Sequence, residues 1–155
     1  MNEGFDLSAM RECASLFVGR HDFSAFAKLE AGRDPIREVE RVEIVERQGY
    51  IVIEVQGKSF LWEMVRRIVN ALRFCGLGLL EAEEVESMLS GEYVKKIPPA
   101  PPEGGLVLWH IEYPGGIGFE GDEKGIKKAR RDIFERYSRA LTRAALFGGD
   151  FLLEY

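Results

Sequence analysis

The most regular hydrophobic pattern in the chain runs from residue 58 to residue 72. Its apolar positions recur at spacings of three and four residues: Leu61, Met64, Val65, Ile68 and Leu72. This spacing predicts an amphipathic helix with one stripe facing a core. We expect Ser59 to cap the start of the helix. We expect Gly76 and Gly78 to end it, because glycine adopts the left-handed conformation without steric cost.

Two adjacent arginines, Arg66 and Arg67, interrupt the apolar pattern in the middle of this helix. Consecutive helical residues point about 100° apart, so the two side chains cannot share one outward face. At least one guanidinium is therefore expected at the margin of the buried stripe, where an unpaired charge costs several kcal/mol. The pattern leaves open an ion pair within the domain, for example with Glu63, or a side chain that extends to solvent.

The N-terminal segment predicts one further helix and a short aromatic stretch. Residues 6–19 form an amphipathic helix with Asp6 as its N-cap and Gly19 at its end. Its apolar stripe comprises Met10, Cys13, Ala14 and Phe17. Residues 21–26 follow as a turn or short helix. The two phenylalanines in this stretch are expected in the core: Phe23 and Phe26.

Three segments have the alternation and β-branched content that are typical of strands. Residues 36–46 and 50–55, joined by a Gln-Gly turn, predict an antiparallel hairpin. Residues 105–113 alternate in a similar way and predict a third strand. Residues 96–102 contain several prolines, which lack the backbone N–H that a helix or central strand needs. This proline-rich segment is therefore predicted to be a loop.

Two more helices complete the predicted elements. Residues 81–89 form a short helix with an acidic outer face, and residues 122–146 form a long helix with basic residues beside an apolar side. Together the elements predict an α+β fold, in which helices pack on a mostly antiparallel sheet.

The composition narrows the class of protein. With 46% hydrophobic and 30% charged residues, the chain is expected to be a globular, cytoplasmic protein. No apolar run approaches the roughly 18 residues of a membrane span, and no secretory pattern opens the chain. Cys13 and Cys75 lie in apolar helical patterns and are expected to be reduced core residues. His21 and His110 lack paired ligand spacing, so no metal site is expected.

Charge is distributed unevenly along the chain. The net charge is −5, yet residues 121–143 hold eight Lys and Arg residues against four acids. This basic helix could contact phosphates or could simply be a solvated face. Its candidate RNA contacts are Lys127, Lys128, Arg130 and Arg131. We find no phosphate-binding loop and no nucleophile beside a base, although His21 and Asp22 are a conceivable acid–base couple.

Three blocks carry a resemblance to a known family. They are His21–Phe26, Ser59–Val69, and Ala100–Leu108 with Ile111–Pro114. In this order and spacing they resemble the C-terminal half of the TruA family of tRNA pseudouridine synthases. The resemblance implies a pseudouridine-synthase-like half domain over residues 1–114, followed by a basic helical extension over residues 115–155.

The resemblance also implies roles for particular residues. In that family a catalytic Asp in an Arg-Thr-Asp motif attacks the uridine or its ribose, and the base turns over and rejoins through carbon. The arginine that pairs with this Asp matches Arg66, and the Gly-Leu strand that lines the base pocket matches Leu106. Phe60 and Arg67 are further substrate-binding candidates. No cofactor is implied.

The sequence departs from the family in having no Arg-Thr-Asp motif. Asp34, in Gly-Arg-Asp, follows the first block and precedes Pro35, so we do not expect it to be the nucleophile. The chain is therefore expected to be inactive alone. Its expected partners are tRNA, modified in the anticodon stem-loop, and an N-terminal catalytic half. The full enzyme is expected to be a homodimer. The alternative is a non-catalytic RNA-binding or dimerisation module.

Overall fold

The structure, a computed structural model, describes residues 4–47, 50–92, 95–101, 105–113, 115 and 122–147. The chain divides into two compact units, Met1–Val107 and Leu108–Tyr155. Of the described elements, the first unit contains three α-helices and a sheet, and the second contains one long helix.

The elements of the first unit confirm the predicted α+β class. In chain order they are α1 (Leu7–Leu16), β1 (Gly19–Asp22), a 3-10 turn (Ser24–Phe26), β2 (Ile36–Arg47), β3 (Tyr50–Gly57), α2 (Met64–Gly76) and α3 (Ala82–Leu89). Strand β2 lies between β1 and β3 and is antiparallel to both. Helix α3 also begins where the sequence predicted, with Glu81 as its N-cap.

The predicted hairpin of β2 and β3 is confirmed. Its inner face pairs Val42 with Val55 and Ile44 with Ile53, and all four side chains pack against the core. A register shift between Val39 and Arg41 marks a bulge. An extra residue in one strand lets side chains three positions apart face the same side, which explains why Val39 is buried as well. The turn predicted at Gln48 and Gly49 lies outside the described residues.

The predicted stripe of α1 and the aromatic core are confirmed. Asp6 caps the helix through its carboxylate, which accepts from the Ser8 and Ala9 N–H groups at 2.8 and 3.1 Å. The stripe residues Met10, Cys13, Ala14 and Phe17 are all buried. Phe23 and Phe26 are fully buried against Phe17. The two cysteines are buried free thiols, and burial raises the pKa of each.

The sequence pattern did not predict strand β1. Gly19, which we expected to end α1, begins this strand with φ +116°, and α1 ends three residues earlier. His21 and Asp22, expected in a turn or short helix, pair with Arg37 and Ile36 of β2. Four residues carry too little alternation to predict a strand, and the pairing that makes this one is non-local. The 3-10 turn that follows agrees with the prediction.

Helix α2 begins later than the sequence predicted. Ser59 does not cap it, because the first helical residue is Met64 and the N-cap position is Glu63. Glu63 adopts φ 62° and ψ 2°, a left-handed conformation that interrupts the turn before the helix. The apolar stripe still packs as predicted, with Leu61, Met64, Ile68 and Leu72 buried. Gly78 ends the helix in the left-handed conformation, as predicted, whereas Gly76 is the last helical residue.

The third strand predicted at residues 105–113 is wrong. None of these residues is in a strand, and Leu106, Leu108 and Trp109 expose 62%, 75% and 90% of their surface. Alternation favours an extended backbone, but a strand also needs a neighbour to satisfy its N–H and C=O groups. The described sheet ends at β3 without reaching this segment.

The second unit contains helix α4 (Glu123–Phe147), close to the predicted range. Asp122 precedes it and accepts from the Gly125 N–H at 2.8 Å. The predicted apolar side is present but exposed at Ile126, Ile133 and Tyr137. The predicted docking of the tail, residues 151–155, lies outside the described residues. No helix in the described part of the chain has the length and apolarity to cross a membrane.

Candidate functional site

The polar side of α2 holds the proline-rich segment against the helix. We call residues 96–101 the proline loop; they have no regular secondary structure, as predicted. Pro98 and Pro99 have no N–H, so this segment cannot pair as a helix or a central strand, and its carbonyls take donors from elsewhere in the chain. Three side chains of α2 supply donors instead: Arg66, Arg67 and Asn70.

Arg67 lies in a half-buried ion pair. Its Nε and terminal nitrogen donate to Glu63 Oε2 at 3.1 and 2.7 Å, and the side chains of the pair are only 12% and 19% exposed. The other terminal nitrogen donates to the Ile97 carbonyl at 2.5 Å. Hydrogen bonding from Arg67 lowers the pKa of the Glu63 carboxyl. This is the ion pair with Glu63 that the sequence left open, and it belongs to Arg67.

The Glu63–Arg67 pair is expected to make the stability of the fold depend on pH. The folded pKa of Glu63 lies below its unfolded value of about 4.3. Its stabilising contribution is therefore complete above that value and is lost as pH falls through the folded pKa. We expect Glu63→Gln to lower the free energy of unfolding at pH 7, and this deficit to shrink as pH falls below about 4.3, measured by urea denaturation at pH 7 and pH 3.

The matched control is Glu86→Gln, on the exposed side of α3, where the described residues offer no ion-pair partner. It should leave the free energy of unfolding within about 0.5 kcal/mol of the wild type at both pH values. A Glu63→Gln deficit that stayed equal at pH 3 and pH 7 would contradict the assignment of a stabilising carboxylate.

Asn70 and two backbone bonds fix the remainder of the proline loop. Asn70, 5% exposed, donates through Nδ2 to the Pro98 carbonyl at 2.9 Å. The Ile97 N–H donates to the Ala25 carbonyl and the Ala100 N–H to the Arg66 carbonyl, each at 3.0 Å. Both ends of the loop are therefore attached, one to the 3-10 turn Ser24–Phe26 and the other to α2.

Arg66 is half-buried and, unlike Arg67, forms no ion pair with a described residue, while its charge is a minor cause of the lowered pKa of the Glu63 carboxyl. A terminal nitrogen donates to the Ala100 carbonyl, while Nε is buried without a hydrogen bond in the described part of the chain. No described carboxylate lies within salt-bridge distance of its guanidinium. A fixed, partly desolvated cation of this kind attracts an anion strongly, and a carboxylate brought to it would have its pKa lowered.

The other predicted site residues are exposed and are not joined to Arg66. Phe60 is 39% exposed, and Leu106 is 62% exposed with no described hydrogen bond or ion pair linking its segment to Arg66. The basic candidates lie on exposed positions of α4, in the second unit: Lys127, Lys128, Arg130 and Arg131.

The alternative acid–base candidates have structural partners of their own. His21 Nε2 lies 3.0 Å from the Val18 carbonyl, and the Asp22 carboxylate accepts from the Ser24 N–H at 2.7 Å. Asp34 is exposed and accepts from the Ile36 N–H at 2.9 Å, which stabilises the turn before β2. The contacts of these carboxylates explain local structure and give none of them the environment of a nucleophile.

Comparison with known proteins assigns the family. A model described as tRNA pseudouridine synthase matches residues 13–114, which include the proline loop and all of α2. The chain belongs to the tRNA pseudouridine synthase family. The family expected from the three sequence blocks is thus confirmed.

Several curated relatives in this synthase family align with almost the whole chain. tRNA pseudouridine synthase A of Thermococcus kodakarensis is 94% identical over 155 residues, which is 100% of this chain and 57% of the relative. The proteins of the same name from Thermococcus onnurineus and Pyrococcus furiosus are 69% and 48% identical, over 99% and 93% of this chain. The chain covers 56% and 54% of those relatives, so it spans little more than half their length.

Sequence reasoning missed two features of this synthase-family site. Asn70 follows Arg66 by four residues and therefore lies on the same side of the helix, a spacing that could have signalled a shared role. The left-handed conformation of Glu63 could not have been predicted, because among residues other than glycine it is asparagine, aspartate and histidine that are enriched at positive φ, and glutamate is not. Among the described residues no group of three or more His, Cys, Asp or Glu side chains could hold a metal ion.

Proposed function

We propose that this chain is the C-terminal part of a tRNA pseudouridine synthase and supplies Arg66 to a catalytic carboxylate carried by the N-terminal part. The observation that carries the proposal is the partly buried guanidinium of Arg66, which has no acidic partner among the described residues. The length of the relatives supports it, since the chain matches only 57% of the first of them.

The proposed reaction is the isomerisation of uridine to pseudouridine in the anticodon stem-loop of tRNA. In the route through the ribose, the carboxylate bonds to C1′ as the C1′–N1 bond breaks with its electron pair on N1, and the freed base turns over. C5 then bonds to C1′ as the bond from C1′ to the carboxylate breaks, C5 loses its proton and N1 gains one, so the carboxylate is regenerated and atoms balance without a cofactor. Arg66 would hold the carboxylate ionised and oriented, and two charges about 4 Å apart attract by about 4 kcal/mol at an effective dielectric constant near 20.

The other predicted residues have supporting roles in this proposal. Leu106 and Phe60 would contact the extruded base, since both are apolar and accessible. Arg67 would act indirectly, because its guanidinium is already bound to Glu63 and Ile97 and holds the proline loop. The exposed Lys and Arg residues of α4 would contact tRNA phosphates. A cytoplasmic location and a homodimer of the complete enzyme belong to the same proposal.

Split-enzyme complementation tests the proposal. Loss of the C5 proton lets tRNA labelled with tritium at uridine C5 report each turnover as tritium released to water. We expect no release above the protein-free rate from this chain alone. Addition of the separately expressed N-terminal remainder of the Thermococcus kodakarensis relative should give sustained release. Tritium release by this chain alone would contradict the proposal, and Asp34→Ala would then test whether Asp34 is responsible.

The competing function is a non-catalytic RNA-binding module, which the exposed basic side of α4 favours. It shares the expectation of salt-dependent tRNA binding, lost when Lys127, Lys128, Arg130 and Arg131 are neutralised. It differs in the complementation assay. Tight tRNA binding by the mixture with no tritium release would favour the module over the enzyme part.

A further inference from the structure

A small aromatic and basic cleft lies on the first unit, just before α2. Its volume is about 160 Å³, and its lining residues are Lys28, Glu30, Arg33, Phe60, Leu61 and Trp62. Trp62 is 57% exposed and Phe60 is 39% exposed, while Lys28 and Arg33 are both exposed. Apart from Phe60, none of these residues has a part in the proposed reaction.

The position of Trp62 is fixed by its neighbours in spite of its exposure. Its carbonyl accepts from the Lys28 N–H at 2.9 Å, and the Lys28 Nζ lies 4.0 Å from the centroid of its ring. The neighbouring Leu61 is buried and anchors the segment in the core. The indole is therefore displayed at the surface on an ordered backbone, with a cation against one face.

The turn that displays Trp62 is strained. Glu63 is the one non-glycine residue with positive φ in the described part of the chain. Conformations of this kind persist where surrounding contacts enforce them, and they concentrate at binding and catalytic sites. Here Glu63 also bonds to Arg67, so the strained turn joins the aromatic cleft to the helix that carries Arg66.

We propose that Trp62 and Lys28 form a subsite for one unstacked nucleotide of single-stranded RNA, with the base stacked on the indole and a phosphate near Lys28 and Arg33. Aromatic rings stack on unpaired bases of any sequence, and adjacent cations track the backbone. The lining residues comprise two cations, which complement a phosphate, and one acid, Glu30; the charge of Lys28 also acts on the neighbouring Glu63 carboxylate. This inference rests on the proposed function and deepens it, since it names a nucleotide contact beyond the reacting uridine.

Trp62 fluorescence gives a direct test with this chain alone. The chain has two tryptophans, so Trp109→Phe leaves Trp62 as the single reporter. We expect saturable quenching when a single-stranded octauridylate is titrated in, and much weaker quenching by duplex RNA of the same length. Equal quenching by the two RNAs would show that charge alone drives the contact and would overturn the subsite.

Variants separate stacking from general attraction to RNA. Measured by anisotropy of a labelled octauridylate, Trp62→Ala should weaken binding about 5- to 100-fold, and Trp62→Phe should retain most of it. Lys28→Ala should reduce the salt slope by about one phosphate contact. The matched control is Tyr50→Ala, an aromatic of similar exposure at the start of β3, which should leave binding unchanged.

Two outcomes would overturn the subsite. One is equal binding by Trp62→Ala and Tyr50→Ala. The other is a Trp62→Ala chain that binds octauridylate normally but no longer associates with the N-terminal remainder, which would make Trp62 a protein contact. These results are distinct from failure of the proposed function, because the titrations need no catalysis. Absence of tritium release with intact octauridylate binding would reject the enzyme part alone.

Discussion

Arg66→Ala is expected to lower kcat of the complemented enzyme by about 10²- to 10⁴-fold. Removing one member of a partly buried charge pair costs about 3–5 kcal/mol, because the remaining charge is left without compensation. Each 1.36 kcal/mol of stabilisation that is lost from the transition state lowers the rate by about tenfold. Tritium release from labelled tRNA at saturating substrate measures the effect. Rates within about threefold of the wild type would refute the role assigned to Arg66.

The pH profile shows whether Arg66 acts through a carboxylate. Without the cation, the pKa of that carboxylate should rise by about 1–3 units. The acid limb of the pH–rate profile should therefore move to higher pH. The rate and pH profile of Arg66→Lys should lie between those of the wild type and Arg66→Ala, since the ammonium group keeps the charge but lacks the planar guanidinium. Arg73→Ala removes an exposed arginine from the same helix. It should keep both the rate and the profile of the wild type.

The elements that the sequence predicted correctly are those specified by local periodicity. The stripe of α1, the hairpin and the stripe of α2 each span enough residues for spacings of two or of three and four to be distinguished. Strand β1 has four residues and exists because β2 lies beside it. The strand predicted at residues 105–113 does not form, because it lacks such a neighbour. Its alternation is clear, yet no described strand lies beside it.

The site was predictable only in part. The spacing of α2 identified Arg66 and Arg67 as misplaced charges, and the family resemblance assigned a role to Arg66. Neither predicted which arginine pairs with Glu63, because both Glu63–Arg66 and Glu63–Arg67 are spacings that meet on a helix. In the structure Glu63 is the N-cap of the helix, and it pairs with Arg67. The sequence pattern assigned no role to Trp62, which lies outside the apolar stripe and is 57% exposed.

Asn70 is the buried polar residue of α2, and it stabilises the proline loop by donating to a backbone carbonyl. Its Nδ2 group donates to Pro98, in a segment that also receives Arg66 and Arg67. Truncation by Asn70→Ala leaves the Pro98 carbonyl without this donor. We expect a loss of about 1–3 kcal/mol in the free energy of unfolding, at every pH where the chain folds.

Asn70→Asp is expected to be far more destabilising at neutral pH and to depend steeply on pH. The carboxylate has nearly the shape of the amide, but once ionised it offers no donor and faces a carbonyl oxygen in a site only 5% exposed. Burial raises its folded pKa above the unfolded value of about 3.9, and we expect this to outweigh the opposite effect of Arg66 and Arg67, because both guanidiniums already donate to carbonyls of the proline loop. Below that value the protonated acid can still donate to Pro98, so the variant should approach the wild type. As pH rises toward the folded pKa, the deficit should grow by about 1.4 kcal/mol per unit.

Urea unfolding of the wild type, Asn70→Ala and Asn70→Asp at pH 4, 5.5 and 7 tests this description of the contact. The two variants should exchange order, because the Asp variant is expected to be the more stable at pH 4 and the Ala variant at pH 7. A deficit of Asn70→Asp that does not change with pH would contradict this description, and would mean either that residue 70 is open to water or that Arg66 or Arg67 pairs with the new carboxylate. In the complemented enzyme, Asn70→Asp should also lower tritium release as pH rises, since the proline loop also carries the Ala100 carbonyl that binds Arg66.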